Sequence, residues 1–161
     1  MSDLELISLS RRVIFSLQGR GAKIVTVESC TGGMIAALLT DIAGSSAVVE
    51  GGLVTYSNAF KQRLVGVRSD TLERYGAVSE QTALEMAQGA LNALPTTTVA
   101  LAVTGIAGPG GGSVHKPVGT VCFALAMKGQ EPRAQRCFFT GDRRAVRHAS
   151  VCHGLQMLLL P

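Results

Sequence analysis

The sequence contains no tryptophan, and only 4% of its residues are aromatic. Charged residues are also scarce at 16%, whereas 47% of the residues are hydrophobic. Disordered chains have the opposite composition, with low hydrophobicity and high net charge, so we expect this chain to fold. Its 161 residues predict one domain, 1–161, whose core is filled by aliphatic side chains and needs no disulfide support.

The four cysteines, at positions 30, 122, 137 and 152, form no Cys-x-x-Cys pair. Structural zinc sites commonly use such pairs, and four cysteines this far apart give little support to a disulfide framework, so we expect neither. No other cofactor is expected. No apolar run reaches the roughly 20 residues of a membrane span, and the first residues lack a secretory signal pattern. We therefore expect a cytoplasmic protein that does not bind membranes.

The net charge is a modest +4, and the basic residues form no long runs. A nucleic-acid-binding surface normally concentrates its lysines and arginines in one patch or along one helix. No nucleic-acid partner is therefore expected. The sequence leaves open whether the chain forms a homo-oligomer.

Helical and strand patterns alternate along the chain, and local signals mark several of their ends. Gly51 and Gly52 predict a bulge or close backbone approach, Asp70 and Glu73 resemble a capping box, and Ser79 and Asp142 cap helices. The predicted strands cover residues 23–27, 47–56 and 97–103, and residues 118–127 and 133–140 are predicted to pair as a hairpin. Helices are predicted at 6–17 and 32–39, after Ser79, and from Asp142 toward Leu160. This order predicts a single three-layer α/β/α domain with a mixed, mostly parallel sheet.

Ser29 lies between a predicted buried strand and a predicted helix, followed by Thr31, Gly32 and Gly33. A hydroxyl at that junction stands at the C-terminal edge of a sheet, beside main-chain amides that can stabilise an oxyanion. The simpler alternative is that Ser29 and Thr31 only cap the helix, since both residue types lead N-cap preferences.

A second candidate site is the glycine-rich loop 104–112, which follows the predicted strand 97–103. Open α/β sheets bind ligands at the C-terminal ends of their strands, which favours a binding role. The loop matches neither a Walker A motif nor a GxGxxG motif, so a flexible surface loop is the alternative.

Lys61 is a candidate base only if its pKa falls from about 10.4 toward neutrality, which requires burial in the cleft or nearby positive charge. The alternative is an ordinary solvated lysine. Arg143, Arg144 and Arg147 begin the last helix, where the helix dipole disfavours cations. Either an anion is held at this helix N-terminus, with Arg143 or Arg147 contacting a phosphate, or the arginines remain solvated.

The histidines have no evident carboxylate partner in the sequence, so no Ser-His-Asp triad is indicated. His153 falls on an apolar stripe and is expected to be packed, and His115 is expected to be exposed. Cys30 is an alternative nucleophile, although adjacent residues rarely point the same way from a turn and a lone cysteine usually packs as a small apolar residue.

Six runs of residues together resemble the CinA C-terminal-domain family. The matching runs are ESCTGG at 28–33, VTYSN at 54–58 with Lys61, GAVS at 76–79, VTGIAGPGG at 103–111, KPVGTV at 116–121, and GDR at 141–143 with Val146 and Arg147. They span nearly the whole chain in order. Ala59 departs from the family, whose members often carry an acidic residue there.

The resemblance implies a small-molecule mononucleotide substrate: hydrolysis of the amide of nicotinamide mononucleotide to nicotinate mononucleotide and ammonia. It implies a serine nucleophile, Ser29, a lysine base, Lys61, and no metal. The implied substrate-binding residues are Tyr56, Thr104 and Arg143, together with Glu28, Thr31, Gly32, Gly33, Asn58, Gly105 and Arg147. The alternative function is a non-catalytic nucleotide-binding or interaction module associated with competence or DNA damage.

Overall fold

Five strands form one mixed sheet in the order β2-β1-β3-β4-β5 in the computed structural model, which describes residues 3–159. The strands are β1 Ile24–Glu28, β2 Val49–Val54, β3 Val99–Gly105, β4 Thr120–Met127 and β5 Arg133–Phe138. β1 pairs in parallel with β2 and β3, whereas β4 is antiparallel to both β3 and β5. Four strands therefore run in one direction and β4 runs against them, which confirms the predicted mixed sheet.

Helices cover both faces of this sheet. The helices are α1 Asp3–Gly19, α2 Met34–Thr40, α3 Asn58–Val65, α4 Ser69–Tyr75, α5 Glu80–Ala93 and α6 Arg143–Met157. One apolar cluster joins the sheet to α1, α2 and α6, and a second joins it to α5 and the end of α3. The predicted three-layer α/β/α arrangement is confirmed. Within residues 3–159, no helix combines the length and apolarity needed to cross a membrane.

The central strands are buried, which explains why runs of aliphatic residues predict their positions in the sequence. All five residues of β1 are buried, as are the first six of β3 and the first seven of β4. Strands buried on both faces are near-continuous apolar runs, and that pattern predicts β3, whereas the β4–β5 hairpin is predicted from the turn between its two strands. The outer strands β2 and β5 are only partly buried.

The predicted irregularity at Gly51 and Gly52 is confirmed. The pairing of β1 with β2 shifts by one residue between Ile24 and Val25, which marks a bulge in β2. A Cβ added to Gly52 would lie 2.6 Å from the Cβ of Ala36, so α2 packs directly on the β2 backbone there. This close contact sets the position of α2 and of the loop that precedes it.

Two predicted details are wrong. Asp70 does not open a capping box, because α4 already begins at Ser69 and its N-cap, Arg68, makes no side-chain cap. The carboxylate of Glu85 on α5 instead accepts hydrogen bonds from the Arg68 amide and the Thr71 hydroxyl. The strand predicted to reach Tyr56 ends at Val54, and a helix that was not predicted, α3, follows it.

The predicted helix caps Ser79 and Asp142 are confirmed. The Ser79 hydroxyl accepts a hydrogen bond from the Thr82 amide, and the Asp142 carboxylate accepts one from the Ala145 amide. The helix that follows Asp142 ends at Met157, and the predicted end near Leu160 lies outside the described residues.

Candidate active site

Ser29 is the first residue after β1, at the C-terminal edge of the sheet. Its amide donates to the carbonyl of Val103 on β3 at 2.9 Å, which extends the β1–β3 pairing by one residue. The glycine-rich loop leaves β3 two residues later, so the two candidate loops lie side by side. Ser29 is only 8% exposed, in the floor of a cleft rather than on the surface.

Lys61 meets Ser29 from α3. The side-chain nitrogen of Lys61 lies 3.0 Å from the Ser29 Oγ, 2.8 Å from the carbonyl oxygen of Thr55 and 3.4 Å from that of Tyr56. The residue is 1% exposed, and this burial lowers the pKa of its amine to about 8. The burial that a lysine base requires is therefore present.

The position of Lys61 follows from local sequence. Ser57 caps α3 by accepting a hydrogen bond from the Phe60 amide, so the helix starts immediately after the β2 edge. Thr55 is fixed beside residues 29–33, the nucleophile loop, which is named for its candidate nucleophile Ser29. The Thr55 amide donates to the carbonyl of Glu28 at 2.8 Å. One turn of helix then carries Lys61 back over the end of β1.

Glu28 serves the loop rather than the cleft. Its side chain is fully buried, and its carboxylate accepts hydrogen bonds from the amides of Gly33, Ile35 and Ala36 at 2.8 to 3.1 Å. These amides open α2, whose N-cap residue, Gly33, has no side chain to satisfy them. A carboxylate from the preceding strand thus caps the helix that follows Ser29.

The amides of the nucleophile loop divide into two groups. Those of Gly32 and Gly33 are used within the loop, by the carbonyl of Ser29 and by the carboxylate of Glu28. Those of Cys30 and Thr31 have no hydrogen-bond acceptor among residues 3–159. Of the two residues, only Cys30 lines the cavity, whereas Thr31 is fully buried and lies outside its lining, so the Cys30 amide is the one available to a ligand.

The cleft above Ser29 is a cavity of about 220 Å³. Its lining contains seven of the predicted site residues, the alternative nucleophile Cys30 and three further residues. The lining residues are Ser29, Cys30, Tyr56, Asn58, Lys61, Thr104, Gly105 and Arg143, with Ala77, Val78 and Ala107. A larger open groove, of about 720 Å³, runs along α6 and contains neither Ser29 nor Lys61.

Tyr56 and Arg143 border the mouth of this cavity, where both side chains are exposed. One terminal nitrogen of the Arg143 guanidinium donates to the Tyr56 hydroxyl at 3.0 Å, and the other donates to the carbonyl of Gly108 at 2.9 Å. On the opposite loop, the Thr104 hydroxyl donates to the carbonyl of Ala77 at 2.8 Å. Arg143 is exposed, so its remaining N–H groups can reach a ligand at the entrance.

Ala77 and Val78 were missed because apolar side chains carry no chemical signature of a site. The GAVS run at 76–79 was matched to the family, yet nothing in the run itself indicated a role. In the structure it forms one wall of the cavity, held by the hydrogen bond from Thr104.

Arg147 was predicted to bind substrate, but it does not line the cavity. Its Nε donates to the carbonyl of Cys30 at 3.0 Å, and its Nη2 donates to the carbonyl of Thr31 at 3.1 Å. The guanidinium is thus committed to the main chain of the nucleophile loop.

No histidine lines the cavity among the residues that the structure describes. His153 packs against the ring of Phe123 with centroids 4.7 Å apart and contacts Cys137 and Gln135, which confirms the predicted packing. Cys30 borders the cavity, but burial raises the pKa of its thiol to about 11. A thiol that remains protonated at neutral pH is a poor nucleophile.

The residues fit an acyl-transfer site better than a metal site. Between residues 3 and 159, no three histidine, cysteine, aspartate or glutamate side chains cluster as metal ligands. The cleft instead contains a serine hydroxyl, a lysine of lowered pKa and nearby main-chain amides, which are the three parts that serine-based amide cleavage needs.

Comparison with known sequences supports the resemblance found from the motifs. The model of the CinA C-terminal domain family matches residues 6–160. The nicotinamide-nucleotide amidohydrolase PncC of Escherichia coli K12 is 52% identical over 158 residues, which are 98% of this chain and 95% of that protein. The protein of the same name from Enterobacter agglomerans is 50% identical over 159 residues, 99% of this chain and 96% of that protein.

Solved structures agree with this result. The competence/damage inducible protein CihA from Agrobacterium tumefaciens superposes with a TM-score of 0.92 at 47% identity, over 96% of this chain and 93% of that one. A CinA superfamily protein from Escherichia coli superposes with a TM-score of 0.91 at 34% identity, over 99% and 94% of the two chains.

Proposed function

This chain belongs to the CinA C-terminal domain family, and from that premise we propose that it is a nicotinamide-nucleotide amidohydrolase with Ser29 as nucleophile and Lys61 as base. The reaction is hydrolysis of the carboxamide of nicotinamide mononucleotide to nicotinate mononucleotide and ammonia. The substrate and reaction rest on relatives that match nearly the full length of this chain at about half identity. The assignment of residues rests on the geometry of the cleft.

One observation carries the residue assignment: the side-chain nitrogen of Lys61 is 3.0 Å from the Ser29 Oγ in a buried setting. The other two contacts of that nitrogen are with carbonyl oxygens, which only accept hydrogen bonds. A neutral amine has two N–H groups and one lone pair. The N–H groups would satisfy the two carbonyls, and the lone pair would then face the serine hydroxyl, as a general base requires.

In the acylation step, the Ser29 oxygen attacks the carboxamide carbon while its proton passes to Lys61. The carbonyl oxygen gains the negative charge in the tetrahedral intermediate, and unpaired main-chain amides such as that of Cys30 stabilise it. The protonated Lys61 then returns the proton to the leaving nitrogen. The C–N bond breaks, ammonia leaves and an ester on Ser29 remains.

In the deacylation step, water occupies the position vacated by ammonia. Lys61 removes a proton from that water, which attacks the ester carbon, and the proton is returned to the Ser29 oxygen as the ester bond breaks. Nicotinate mononucleotide leaves, and the dyad is restored. Both half-reactions use the same base, so the cycle consumes one water and needs no further co-reactant.

We assign recognition of the substrate phosphate to Arg143. A mononucleotide that places its carboxamide at Ser29 extends toward the mouth of the cavity, where Arg143 has N–H groups left after it contacts Tyr56 and Gly108. Charge-assisted hydrogen bonds from arginine suit phosphate oxygens. The glycine-rich loop 104–112 is the competing phosphate cradle.

A non-catalytic module is disfavoured by the position of Lys61. Burial of a charged amine is unfavourable, and here it lowers the pKa of Lys61 and places its nitrogen against a serine hydroxyl, which a base requires and a binding domain does not. We further propose that the enzyme acts in the cytoplasm, where reduced thiols persist; the described cysteines form no disulfide.

Incubation of the purified protein with nicotinamide mononucleotide tests the function. We expect equal amounts of ammonia and nicotinate mononucleotide from the wild type, with and without an excess of EDTA, and neither product from Ser29→Ala. Ammonia release that persists in Ser29→Ala, or that is lost with EDTA and restored by zinc, would contradict the proposal.

A further inference from the structure

Arg147 contacts the nucleophile loop without lining the cavity. It lies in the second turn of α6, and its two hydrogen bonds join that helix to the consecutive carbonyls of Cys30 and Thr31 at 3.0 and 3.1 Å. An arginine presents its donors in a rigid planar fork, so two bonds to neighbouring carbonyls fix the orientation of both peptide groups.

The direction of each carbonyl determines the direction of the amide in the same peptide group. In a planar trans peptide, the C=O and N–H point in opposite directions. When Arg147 holds the carbonyl of Cys30, it also directs the amide of Thr31 away from the guanidinium. The bond to the carbonyl of Thr31 directs the amide of Gly32 in the same way.

That second amide transmits the effect to the peptide next to the nucleophile. The Gly32 amide donates to the carbonyl of Ser29 at 3.0 Å, which fixes the peptide group between Ser29 and Cys30. Arg147 therefore orients the Thr31 amide directly and the Cys30 amide through Gly32. These are the two loop amides that have no acceptor among the described residues.

We propose that Arg147 is a positioning residue, which holds the loop so that the amide of Cys30, the one of the two that lines the cavity, stabilises the oxyanion. The inference rests on the proposed amidohydrolase function, because an oxyanion forms only if Ser29 attacks a carbonyl carbon. The guanidinium also polarises the peptide groups whose carbonyls it binds, which strengthens their N–H groups as donors. Arg147 itself makes no contact with the substrate.

This role differs from substrate binding in its kinetic consequence. Oxyanion donors act on charge that develops in the transition state, so their misplacement lowers kcat and leaves KM nearly unchanged. A residue that binds the phosphate in the ground state would instead raise KM. A residue that only supports the fold would lower thermal stability and change the amount of active enzyme.

The test compares Arg147→Gln, Arg147→Lys and Arg147→Ala with Arg144→Gln. Arg144 is a matched control, since it lies in the first turn of the same helix, is exposed and lies outside the cleft. We expect Arg147→Gln to lower kcat about tenfold to a hundredfold, within the loss of up to about a thousandfold seen when a single oxyanion donor is removed, with KM changed less than about threefold. Arg147→Lys should be intermediate, and added guanidinium ion should restore part of the activity of Arg147→Ala.

Two results would overturn the inference: a raised KM with unchanged kcat, or Arg147 variants that fold and match Arg144→Gln. If Arg147→Gln does not fold, Arg147→Lys decides by the same comparison. An activated aryl ester serves as a second substrate, because its hydrolysis also passes through an oxyanion but needs no nucleotide. If the wild type hydrolyses the ester but not nicotinamide mononucleotide, the proposed substrate is wrong, and the Arg147 variants are compared on the ester. If the wild type hydrolyses neither substrate, both proposals are overturned.

Discussion

The side-chain nitrogen of Lys61 contacts the Ser29 Oγ at 3.0 Å although 32 positions separate the two residues. Parallel pairing of β1 with β2 brings the ends of both strands to one edge of the sheet, and α3 starts directly after β2. A capped helix of eight residues is enough to return Lys61 to the end of β1. The dyad is thus a product of sheet order and of one short connection.

Removal of either member of the dyad should abolish turnover. Ser29→Ala and Lys61→Ala are each expected to lower kcat for nicotinamide mononucleotide by several orders of magnitude, and the double variant should be little worse, because the two residues act as a unit. The measurement is kcat for the three variants beside His153→Ala. His153 packs against Phe123, so its replacement should lower stability and spare kcat in the folded fraction. Losses that multiply in the double variant would indicate independent roles.

The pH dependence of catalysis should report the deprotonation of Lys61. Burial lowers the pKa of this amine to about 8, and only the neutral amine accepts a proton from Ser29. We therefore expect kcat/KM to rise as the pH increases through about 8 and then to level off, since kcat/KM follows groups of the free enzyme. A profile that falls over this interval would mean that the protonated lysine is the active form.

How far the sequence predicts this site depends on the element involved. Ser29 follows β1 and Thr104 lies at the end of β3, and parallel strands end at a common edge, so the pattern of buried strands is enough to predict that they lie close together. Lys61 could not be placed in this way. Val54, Thr55 and Tyr56 favour extended structure, so the sequence does not reveal where α3 begins. Burial of a lysine depends on packing between elements, which no local pattern shows.

The arginines of α6 are a second case in which the sequence does not predict which groups a side chain contacts. Positive charge at the start of a helix is unusual, but the sequence alone does not separate Arg143, at the cavity mouth, from Arg147, on the nucleophile loop. The two residues lie four positions apart on the helix, and their guanidinium groups contact different partners, the Tyr56 hydroxyl for Arg143 and the Cys30 carbonyl for Arg147. Glu28 is a comparable case, because a capping carboxylate supplied by the preceding strand differs from the local caps that sequence rules describe.

Burial of Lys61 should also destabilise the folded protein in a pH-dependent manner. Below about pH 8 the amine is protonated in both states, and burial disfavours the folded one. Between about pH 8 and 10.5 the folded protein has lost this proton while the unfolded chain retains it, so the free energy of unfolding of the wild type rises with pH. This contribution is on the order of 3 kcal/mol.

Lys61→Met removes that dependence. Relative to wild type, the variant should be most stable at pH 7, and its advantage should shrink between about pH 8 and 10.5. The measurement is the difference in the free energy of unfolding across this interval, with Lys128→Met at an exposed position as the control. A difference that does not change with pH would mean that burial does not lower the pKa of Lys61.

Arg143 should discriminate between substrates with and without a phosphate. Arg143→Gln is expected to weaken transition-state binding of nicotinamide mononucleotide by about 1.5–3 kcal/mol, which is roughly tenfold to a hundredfold in kcat/KM. The loss should largely vanish with nicotinamide riboside, and Arg144→Gln should affect neither substrate. Equal losses on both substrates would mean that Arg143 does not bind the phosphate, and the glycine-rich loop 104–112 would then be the phosphate-binding element.

The most direct test of the central claim is to trap the covalent intermediate. Wild-type enzyme is mixed with nicotinamide mononucleotide, quenched with acid during the first turnover, digested and analysed by mass spectrometry. We predict a nicotinate mononucleotide ester on the peptide that contains Ser29, with none in Ser29→Ala or Lys61→Ala. An adduct on Cys30 instead, or an early burst of ammonia with no adduct on the Ser29 peptide, would contradict the assignment of Ser29 as the nucleophile.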